Sequence, residues 1–508
     1  MGQKLREYIF CGRVRDWDGT DSYRMTVIVL FLLLLPVFFG RLGDNTLLKT
    51  DELLHAAMAT DILKTGDWFT MHYNGEPSWL KPPLYFWVEA VFFRIFGQSE
   101  FWARFPSAAA GYGTLFLVYA IGTRICDRKT GLLGMVVLAT SFFFLKYSRR
   151  AMLDVPVAFA TTLGVYAIVR GEKEGRYDLL FGLAVAAGYY IKAVQGLYVA
   201  VIGPLYLIIS GQWKRLIRPS MLAAYAAAAA LIAAWVWPQI SVHGPAFIYS
   251  QSGISPIIHR GAVQGMNMPF YVPLLILSKV YWPWLPACLF GMFLLARRGT
   301  RDRAALLIFT WVGIILLSLM ISSSVFERYM LTIVPAISLC GGIALSRWVE
   351  DDKLCEFTRV TAAVIIFFVL IGTCTPIKLD RSGHPQNDLA RTINYIVPAE
   401  RPILNYRGLD WATMQGLNFY AGRYLDKQIN SVEDLTRERM EREGKLYCIV
   451  SSEDFVDIEN SGMKDQVRFL ARTGPYGRSR IQYFLVEILP SPGVNSLLEK
   501  KHERMMNS

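Results

Sequence analysis

Charged residues are scarce in this 508-residue chain, and several motifs that mark soluble enzymes are missing. Only 19% of the residues are charged, whereas 53% are hydrophobic, which is more apolar surface than one soluble core buries. The seven cysteines form no CxxC pair and no Cys/His cluster at metal-ligand spacing. There is no Walker motif, and there are no internal repeats or inverted halves. The composition predicts a membrane protein, and the missing motifs weaken an assignment as a pump or carrier.

Apolar runs of about the 20 residues needed to cross a bilayer recur along the chain. Followed from a cytoplasmic N-terminus under the positive-inside rule, they predict helices near 25–42, 105–125, 131–147, 153–170, 219–238, 270–296, 304–322, 329–346 and 358–376. The stretch 179–211 is too long for one span and is interrupted at 192–196, so it predicts two helices joined by an outer turn. The expected total is about 11 to 13 transmembrane helices.

The formal net charge of +12 follows from basic cytoplasmic loops rather than from nucleic-acid binding. The strongest of these loops carries Arg297, Arg298, Arg301 and Arg303. An odd number of spans then leaves the C-terminus on the outer side of the membrane. The predicted surroundings of the chain are membrane lipids and not nucleic acid.

The composition changes near residue 377 from apolar to a soluble pattern. Strand-like runs at 401–406, 445–450 and 481–486 alternate with charged, helix-like segments, which predicts a small periplasmic α/β domain over 377–508. The other predicted parts are a cytoplasmic arm, 1–24, and a polytopic α-helical transmembrane domain, 25–376, that includes an outer loop at 43–104. The C-terminal domain has no phosphate-binding glycine motif, so we expect a packing, lid or acceptor-docking role.

Ionisable residues collect on the predicted outer side of the membrane. The carboxylates are Asp51, Glu52 and Asp154, and the basic residues are Lys81, Arg149, Arg150, Lys192, His259, Arg260, Lys279 and Arg328. This mixture suits an anionic, lipid-linked substrate, because cations hold phosphate oxygens while a carboxylate orients or deprotonates an acceptor hydroxyl. Structural alternatives stay open: Arg149 or Arg150 snorkels to headgroups, Lys192 marks a turn, and Lys279 pairs with a carboxylate.

Two short motifs have both a functional and a structural interpretation. Pro82 and Pro83 hold the backbone of Lys81 extended, but the same dipeptide is also a helix-start signal. The spacing of Asp51, Glu52 and His55 suits a shared cation only weakly, because no second histidine follows at ligand spacing. The sequence therefore predicts no cofactor, and a divalent metal has only the weak candidates His55 and His259.

These motifs resemble the first periplasmic loop of the bacterial protein-mannosyltransferase-like GT-C glycosyltransferases, a family that includes the aminoarabinose transferase of lipid A. The residues that carry the resemblance in the loop are Asp51-Glu52, Gly66-Asp67-Trp68, Asn74-Gly75, Lys81-Pro82-Pro83, Tyr85, Glu100, Arg104, Pro106 and Ser107. It continues in Arg149-Arg150 with Asp154, in Lys192, and in Glu327-Arg328-Tyr329. The similarity spans roughly residues 25–350.

The resemblance implies an inverting transfer of a sugar from a polyprenyl-phosphate donor, such as undecaprenyl phosphate, to an acceptor in the cell envelope. The acceptor is lipid A or another lipopolysaccharide, a different glycan, or a protein. The implied catalytic residues are Asp51, Asp154 and Glu52, and the implied phosphate contacts are Lys81, Arg149, Arg150, Arg260, Arg328 and Tyr329. Aminoarabinose transferases tend to carry an acidic residue before the lysine, associated with a metal site. Leu80 stands there in this chain, which argues against a bound zinc and against aminoarabinose as the sugar.

Two other classes of protein compete with this interpretation. A lipid or polysaccharide transporter would distribute ionisable residues through the bilayer midplane, whereas those of this chain collect at one face. A receptor-like protein would need its spans only as an anchor, and so many spans are unnecessary for that.

Overall fold

A computed structural model describes most of the chain. The described residues are 21–47, 51–79, 81–245, 247, 269–299, 301–322, 325–350, 385–409, 414, 416–442, 444–461, 463–472 and 482–489, with six further positions between 354 and 364. The chain divides into two compact units. The membrane unit comprises Met1–Asp44, Asp67–Met71 and Ser78–Ile377, and the sheet unit comprises Asn45–Gly66, His72–Pro77 and Lys378–Ser508. The outer loop 43–104, which the sequence analysis assigned to the transmembrane domain, is thus shared between the two units.

Helices make up most of the membrane unit. They are α1 (Asp21–Phe39), α3 (Leu84–Phe96), α4 (Glu100–Ile125), α5 (Arg128–Ala139), α6 (Phe142–Ser148), α7 (Asp154–Arg170), α8 (Arg176–Lys192), α9 (Tyr198–Ile209), α10 (Pro219–His243), α11 (Val272–Val280), α12 (Leu285–Arg297), α13 (Arg303–Ile321) and α14 (Val334–Trp348); the helix Asp51–Thr65 of the sheet unit is α2. Short 3₁₀ helices cover Ala193–Leu197, Trp213–Ile217 and Glu327–Thr332.

Several helices of the described chain are long and apolar enough to cross a bilayer. Four qualify by length and hydropathy: α4, the stretch Arg176–Ile209 that comprises α8, a 3₁₀ turn and α9, α10, and α13. The bent pairs α5–α6 and α11–α12, with angles of 67° and 117°, raise the number to six if each pair is one span. Only 22% of the most apolar 18-residue window of α10 is buried within the protein, so the rest of this helix presents an apolar surface that lipid covers. The chain is a multi-pass membrane protein; the total of 11 to 13 spans stays a prediction.

Close helix packing in the membrane unit depends on glycine. A Cβ atom at Gly342 of α14 would lie 2.6 Å from the backbone nitrogen of Gly134 in α5, so only glycine permits this approach. Polar side chains cap the helices at their ends: Asp127 accepts a hydrogen bond from Thr130 N at 2.7 Å, which satisfies one of the free donors at the start of α5.

The sheet unit contains a five-stranded mixed sheet with the order β4-β3-β5-β7-β6. The strands are β3 (Ile403–Tyr406), β4 (Gln428–Ile429), β5 (Leu446–Ser451), β6 (Val467–Arg472) and β7 (Tyr483–Ile488), and a separate hairpin pairs β1 (His72–Tyr73) with β2 (Glu76–Pro77). Helices α15 (Pro385–Ile396), α16 (Val432–Glu441) and α17 (Phe455–Asn460) accompany the larger sheet. Strand β3 is parallel to β4 and β5, and the other pairs are antiparallel. All six residues of β5 are buried, as expected of a strand covered on both faces. The predicted sheet-containing C-terminal domain is therefore present, and its bounds and its side of the membrane stay predictions.

The structure also corrects several details of the predicted helices. The helix expected near 131–147 is divided into α5 and α6, which meet at an angle of 67°. The single helix expected near 270–296 is divided into α11 and α12, because Pro283 and Pro286 interrupt the backbone hydrogen-bond pattern. The outer loop contains two helices, α2 and α3, that are too short to be recognised as membrane spans.

Candidate active site

A buried ion pair marks the site in the membrane unit. Asp154 is the first residue of α7 and is only 5% exposed, and its carboxylate lies 2.5 Å from the Lys192 ammonium. The guanidinium of Arg328 lies 3.7 Å from the second carboxylate oxygen. A carboxylate in the first turn of a helix is stabilised by the helix dipole. One carboxylate therefore lies between two cations, which leaves the group with an excess of positive charge.

Lys192 reaches this position because α8 ends there. The next residue, Ala193, has a positive φ of 48°, and the chain continues as a 3₁₀ helix to Leu197 before α9 begins. The turn packs against α8 where Gly188 and Gly196 meet; a Cβ on either glycine would overlap the backbone of the other. The interruption predicted at 192–196 thus presents a lysine at a helix end.

Aromatic side chains enclose the ion pair. The ring of Tyr329 lies 4.4 Å from the Lys192 ammonium, a favourable cation–π distance. A small cavity borders the pair and is lined in part by Gln195, Tyr198 and Tyr329. The hydroxyl of Tyr198 accepts a hydrogen bond from Ser318 at 3.1 Å. The arrangement offers one ordered carboxylate, two cations and hydroxyl groups beside a cavity.

A second polar cluster surrounds Glu327, the residue before Arg328. Its carboxylate accepts hydrogen bonds from the hydroxyl of Tyr147 at 2.6 Å and from the Lys146 ammonium at 3.1 Å. The Tyr147 hydrogen bond is the main cause that lowers the pKa of Glu327; Lys146 and the nearby charge of Lys279 act in the same direction, and burial opposes them. The guanidinium of Arg150 lies 5.6 Å from the Tyr147 ring.

Together these two clusters contain five basic side chains and two carboxylates, Asp154 and Glu327. The basic residues are Lys146, Arg150, Lys192, Lys279 and Arg328. This excess of positive over negative charge favours an anionic ligand.

Arg149 contacts the backbone rather than either cluster. Its guanidinium donates hydrogen bonds to the carbonyl oxygens of Val37 at 2.5 Å and Gly40 at 2.7 Å, at the C-terminal end of α1. Arg104 donates to the neighbouring carbonyl of Leu42 at 2.8 Å. Burial lowers the pKa of Arg149, and the like charge of Arg104 adds to the effect. Arg149 therefore satisfies carbonyl groups that the end of α1 leaves without partners, and Arg104 satisfies one in the turn that follows.

The predicted residues of the outer loop lie in different units. Asp51 and Glu52 begin α2 in the sheet unit, where Glu52 and His55 are buried. Lys81 belongs to the membrane unit and precedes α3, which starts at Leu84. Pro82-Pro83 is thus a helix start, and this structural interpretation is compatible with a binding role for Lys81.

Some predicted residues lie outside the described chain, namely Leu80, His259 and Arg260. Within the described residues, no three His, Cys, Asp or Glu side chains come together as a metal site. The prediction did not assign Lys192 and Glu327 to the site, although both belonged to recognised motifs. Their charge at the ends of apolar helices was the available signal.

The amino-acid sequence is similar to known membrane transferases. Residues 80–237 match the dolichyl-phosphate-mannose-protein mannosyltransferase family, a segment that contains Lys81, Asp154 and Lys192. An uncharacterized protein of Aquifex aeolicus (strain VF5) is 28% identical over 318 residues, which are 61% of this chain and 62% of the relative. The undecaprenyl phosphate-alpha-4-amino-4-deoxy-L-arabinose arabinosyl transferase of Aeromonas salmonicida (strain A449) is 28% identical over 367 residues, 68% of this chain and 65% of that one. The aligned part of this chain spans less than two thirds of either relative.

The fold is similar to a solved structure of the same group. The crystal structure of ArnT from Cupriavidus metallidurans, bound to undecaprenyl phosphate, aligns with a TM-score of 0.69 at 17% sequence identity. The alignment covers 90% of this chain and 98% of ArnT. At this identity the similarity establishes the fold. Sequence and fold together confirm the predicted resemblance: the chain has a GT-C-type fold and is similar to the protein-mannosyltransferase-like and aminoarabinose-transferase-like glycosyltransferases.

Proposed function

We propose that the protein is an inverting glycosyltransferase that moves a sugar from a polyprenyl-phosphate donor to an acceptor of the bacterial cell envelope. It works at the periplasmic face of the inner membrane, with the N-terminus in the cytoplasm and the C-terminus in the periplasm. The observation that carries the proposal is the buried carboxylate of Asp154 between Lys192 and Arg328, with further cations nearby. The relatives with this fold support it, since ArnT binds undecaprenyl phosphate.

The proposed reaction exchanges one carbon–oxygen bond for another. An oxygen of the acceptor forms a bond to the anomeric carbon of the sugar, and the bond between that carbon and the donor phosphate breaks. The polyprenyl phosphate leaves with the electron pair, so its negative charge increases, and the cations stabilise this charge. A hydroxyl acceptor also loses a proton, for which Asp51 is the proposed base; a phosphate acceptor needs no base, and Asp51 then orients it.

The roles proposed for the other residues follow their chemistry. The donor phosphate contacts Lys81, Arg150, Arg328 and Tyr329. A further contact to Arg260 is proposed from the resemblance alone. Asp154 keeps Lys192 and Arg328 in place while the phosphate binds, and Glu52 supports Asp51. The acceptor class is open among lipid A, other glycans and protein, and the residue at Leu80 gives no reason to choose aminoarabinose as the sugar.

A transfer assay tests this proposal. The full chain in nanodiscs is incubated with envelope extract and radiolabelled undecaprenyl-phosphate sugars, carrying mannose or 4-amino-4-deoxy-L-arabinose. We expect the label to move to an envelope acceptor, and Asp154→Asn, Lys192→Met and Asp51→Asn each to reduce the rate about 100-fold or more. Lys173→Met is the control, because Lys173 is exposed and follows the opposite end of α7.

Undecaprenyl phosphate without a sugar gives a separate readout. We expect Lys192→Met to weaken its binding by about tenfold or more, while Lys173→Met leaves it unchanged. Transfer at the parent rate by folded Asp154→Asn would remove Asp154 from the mechanism. Movement of the intact lipid across the membrane, with no cleavage of the sugar–phosphate bond, would instead establish the transporter alternative.

A further inference from the structure

We propose that the C-terminal part of the sheet unit positions the proposed catalytic helix α2 of the same unit, through hydrogen bonds that join Asp61 and Lys64 of α2 to Asn418. Residues 378–508 are then a positioning part of the transferase rather than a separate binding domain. The inference rests on the proposed function, because α2 begins at Asp51. It assigns positioning roles to three residues that no motif identified.

Helix α2 is largely buried within the protein. Eleven of its 15 residues are buried, including Glu52, His55 and Asp61. A surface helix of an outer loop would bury only one stripe, whereas α2 buries polar and apolar positions alike. The orientation of α2, and of Asp51 at its start, is therefore set by the groups packed around it.

Asn418 supplies the central contact. It lies in a π-helical turn, Leu417–Ala421, and is only 1% exposed. Its side-chain amide donates a hydrogen bond to Asp61 at 2.8 Å. Its side-chain oxygen accepts from the Lys64 ammonium, which also donates to the backbone carbonyl of Asn418 at 3.2 Å. One buried amide thus holds two residues on α2.

Neighbouring groups of the sheet unit complete this contact. The second carboxylate oxygen of Asp61 accepts a hydrogen bond from Gly75 N at 3.3 Å. The ring of Tyr424 lies 4.4 Å from the Lys64 ammonium. The hydroxyl of Tyr420, in the same π-helical turn, accepts from Leu47 N, four residues before α2, at 2.9 Å. Because both oxygens of Asp61 and both ends of the Asn418 amide are used, loss of one member leaves buried polar groups without partners.

The π-helical turn has a geometric reason in this arrangement. Turns with this wider hydrogen-bond pattern are rare and frequently occur at functional sites. Here the turn aims the side chain of Asn418 and the backbone carbonyl of the same residue at α2. Both groups of Asn418 that contact α2 thus come from this irregular turn.

Hydrogen exchange tests the contact independently of any enzymatic activity. In the full chain in nanodiscs, we expect Asn418→Ala to accelerate amide exchange in residues 52–65 by about tenfold or more, with smaller changes in β5. Asn460→Ala is the matched control, because Asn460 is exposed at the end of α17, and it should leave the exchange unchanged. Unchanged exchange of α2 in Asn418→Ala would overturn the inference, even if the transfer assay succeeds.

Kinetics separate a positioning role from general loss of structure. With the radiolabelled donor, Asn418→Ala should lower kcat by about tenfold or more, while KM for the donor changes by less than about twofold. The reverse result, a raised KM with unchanged kcat, would assign the domain to donor binding and would contradict the inference. If no variant or parent transfers sugar, the proposed function fails, and the exchange experiment still decides whether α2 is held.

Exchanging the side chains of Asp61 and Asn418 tests whether their hydrogen bond can be restored. Asn418→Asp alone places two carboxylates in contact, and Asp61→Asn alone loses one of its two hydrogen bonds. The double variant Asp61→Asn with Asn418→Asp reverses donor and acceptor between the positions, keeps an acceptor for Gly75 N, and gives Lys64 a carboxylate. We expect it to recover most of the slow exchange of α2 and most of kcat. A double variant no better than either single variant would show that these contacts do not position α2.

Discussion

Two buried aspartates of the membrane unit have the same charge but different surroundings. Asp178 in α8 is fully buried, contacts Arg215 at 2.7 Å and accepts a hydrogen bond from Ser220 at 2.7 Å. The Arg215 side chain is only 3% exposed, so this group is closed. Asp154 instead has a more distant partner in Arg328, whose side chain is 22% exposed. Asp178 is therefore enclosed by its partners, whereas Asp154 borders a small cavity.

This difference predicts separate effects of two substitutions. Arg215→Met leaves the Asp178 charge buried without its main partner, so the free energy of unfolding should fall by about 3–5 kcal/mol. Affinity for undecaprenyl phosphate, measured on the folded fraction, should not change. Lys192→Met should weaken that affinity, because its partner lies beside the cavity. Equal losses of affinity in the two variants would contradict the distinction.

Arg149 tests whether a predicted phosphate contact has a structural role instead. Its two hydrogen bonds go to backbone carbonyls of α1, and lysine cannot supply the same forked pair of donors. Arg149→Lys should therefore lower the free energy of unfolding by about 1–3 kcal/mol. Arg150→Lys is the neighbouring control, and thermal unfolding of both variants gives the comparison. A large loss of undecaprenyl phosphate affinity with unchanged stability would restore the phosphate role of Arg149.

Because Lys64 is partly buried, we expect the stability of the folded protein to depend on pH. Burial lowers its pKa from the ordinary value of 10.5 to about 8, with Asp61 opposing the change. Between these values the unfolded lysine holds a proton that the folded one has released, so the unfolded state binds more protons and stability rises with pH. The Tm of the parent minus that of Lys64→Met should therefore increase by a few degrees between about pH 7.5 and about pH 9.5. A difference that stays flat or falls would show that Lys64 keeps its charge.

At the scale of elements, the turn between α8 and α9 determines where Lys192 lies. Because a Cβ on Gly196 would overlap the backbone of Gly188, Gly196→Ala should separate the turn from α8 and cost about 1–3 kcal/mol. The transfer rate should fall as well, since Lys192 moves with the turn. Gly313→Ala is the matched control: a Cβ there has open space, and the change should be neutral or stabilising by up to about 1 kcal/mol. Thermal unfolding and the transfer assay check both variants.

The helices that the sequence predicted best are those with long apolar runs and clear ends. The helix expected at 153–170 is observed as Asp154–Arg170, and that expected at 304–322 as Arg303–Ile321. Length and hydropathy are enough to predict these two helices, because a helix that crosses the lipid bilayer needs both. Helix α2 was indicated only by the short helical spacing of Asp51, Glu52 and His55, because its buried face contains glutamate, histidine and aspartate, which give it no long apolar run.

The contacts of α2 could not be predicted for a different reason. Asn418 lies 357 positions after Asp61, and no local pattern links residues so distant in the sequence. The partners of Asp154 were easier to identify as candidates from the sequence, because Lys192 and Arg328 both lie at the ends of apolar segments. Charge at a membrane boundary identifies candidates, and only the tertiary fold shows which of them meet.

At the scale of the whole molecule, two groups of charged residues lie at opposite ends of α7 in the membrane unit. The 17 residues of α7 span about 25 Å, close to the thickness of a bilayer core. Asp154 and the proposed site lie at its start, whereas Arg170 ends it and Arg215 packs beside that end, with a hydrogen bond to Ile168 O at 2.6 Å. Arg303, in the strongest basic cluster, pairs with Glu172 just beyond α7. The positive-inside rule predicts that this second end faces the cytoplasm.

Labelling with a membrane-impermeant maleimide tests that topology in spheroplasts. Three exposed positions are changed separately: Val194→Cys beside Lys192, Glu459→Cys in the sheet unit, and Lys173→Cys after α7. We expect the first two to react in intact spheroplasts, and Lys173→Cys only after the membrane is permeabilised, with the parent chain as background for its own cysteines. Labelling of Lys173→Cys from outside, with Val194→Cys protected, would place the proposed site in the cytoplasm. A donor on the periplasmic face would then be unable to reach Asp154, so this one measurement bears on both the orientation and the proposed reaction.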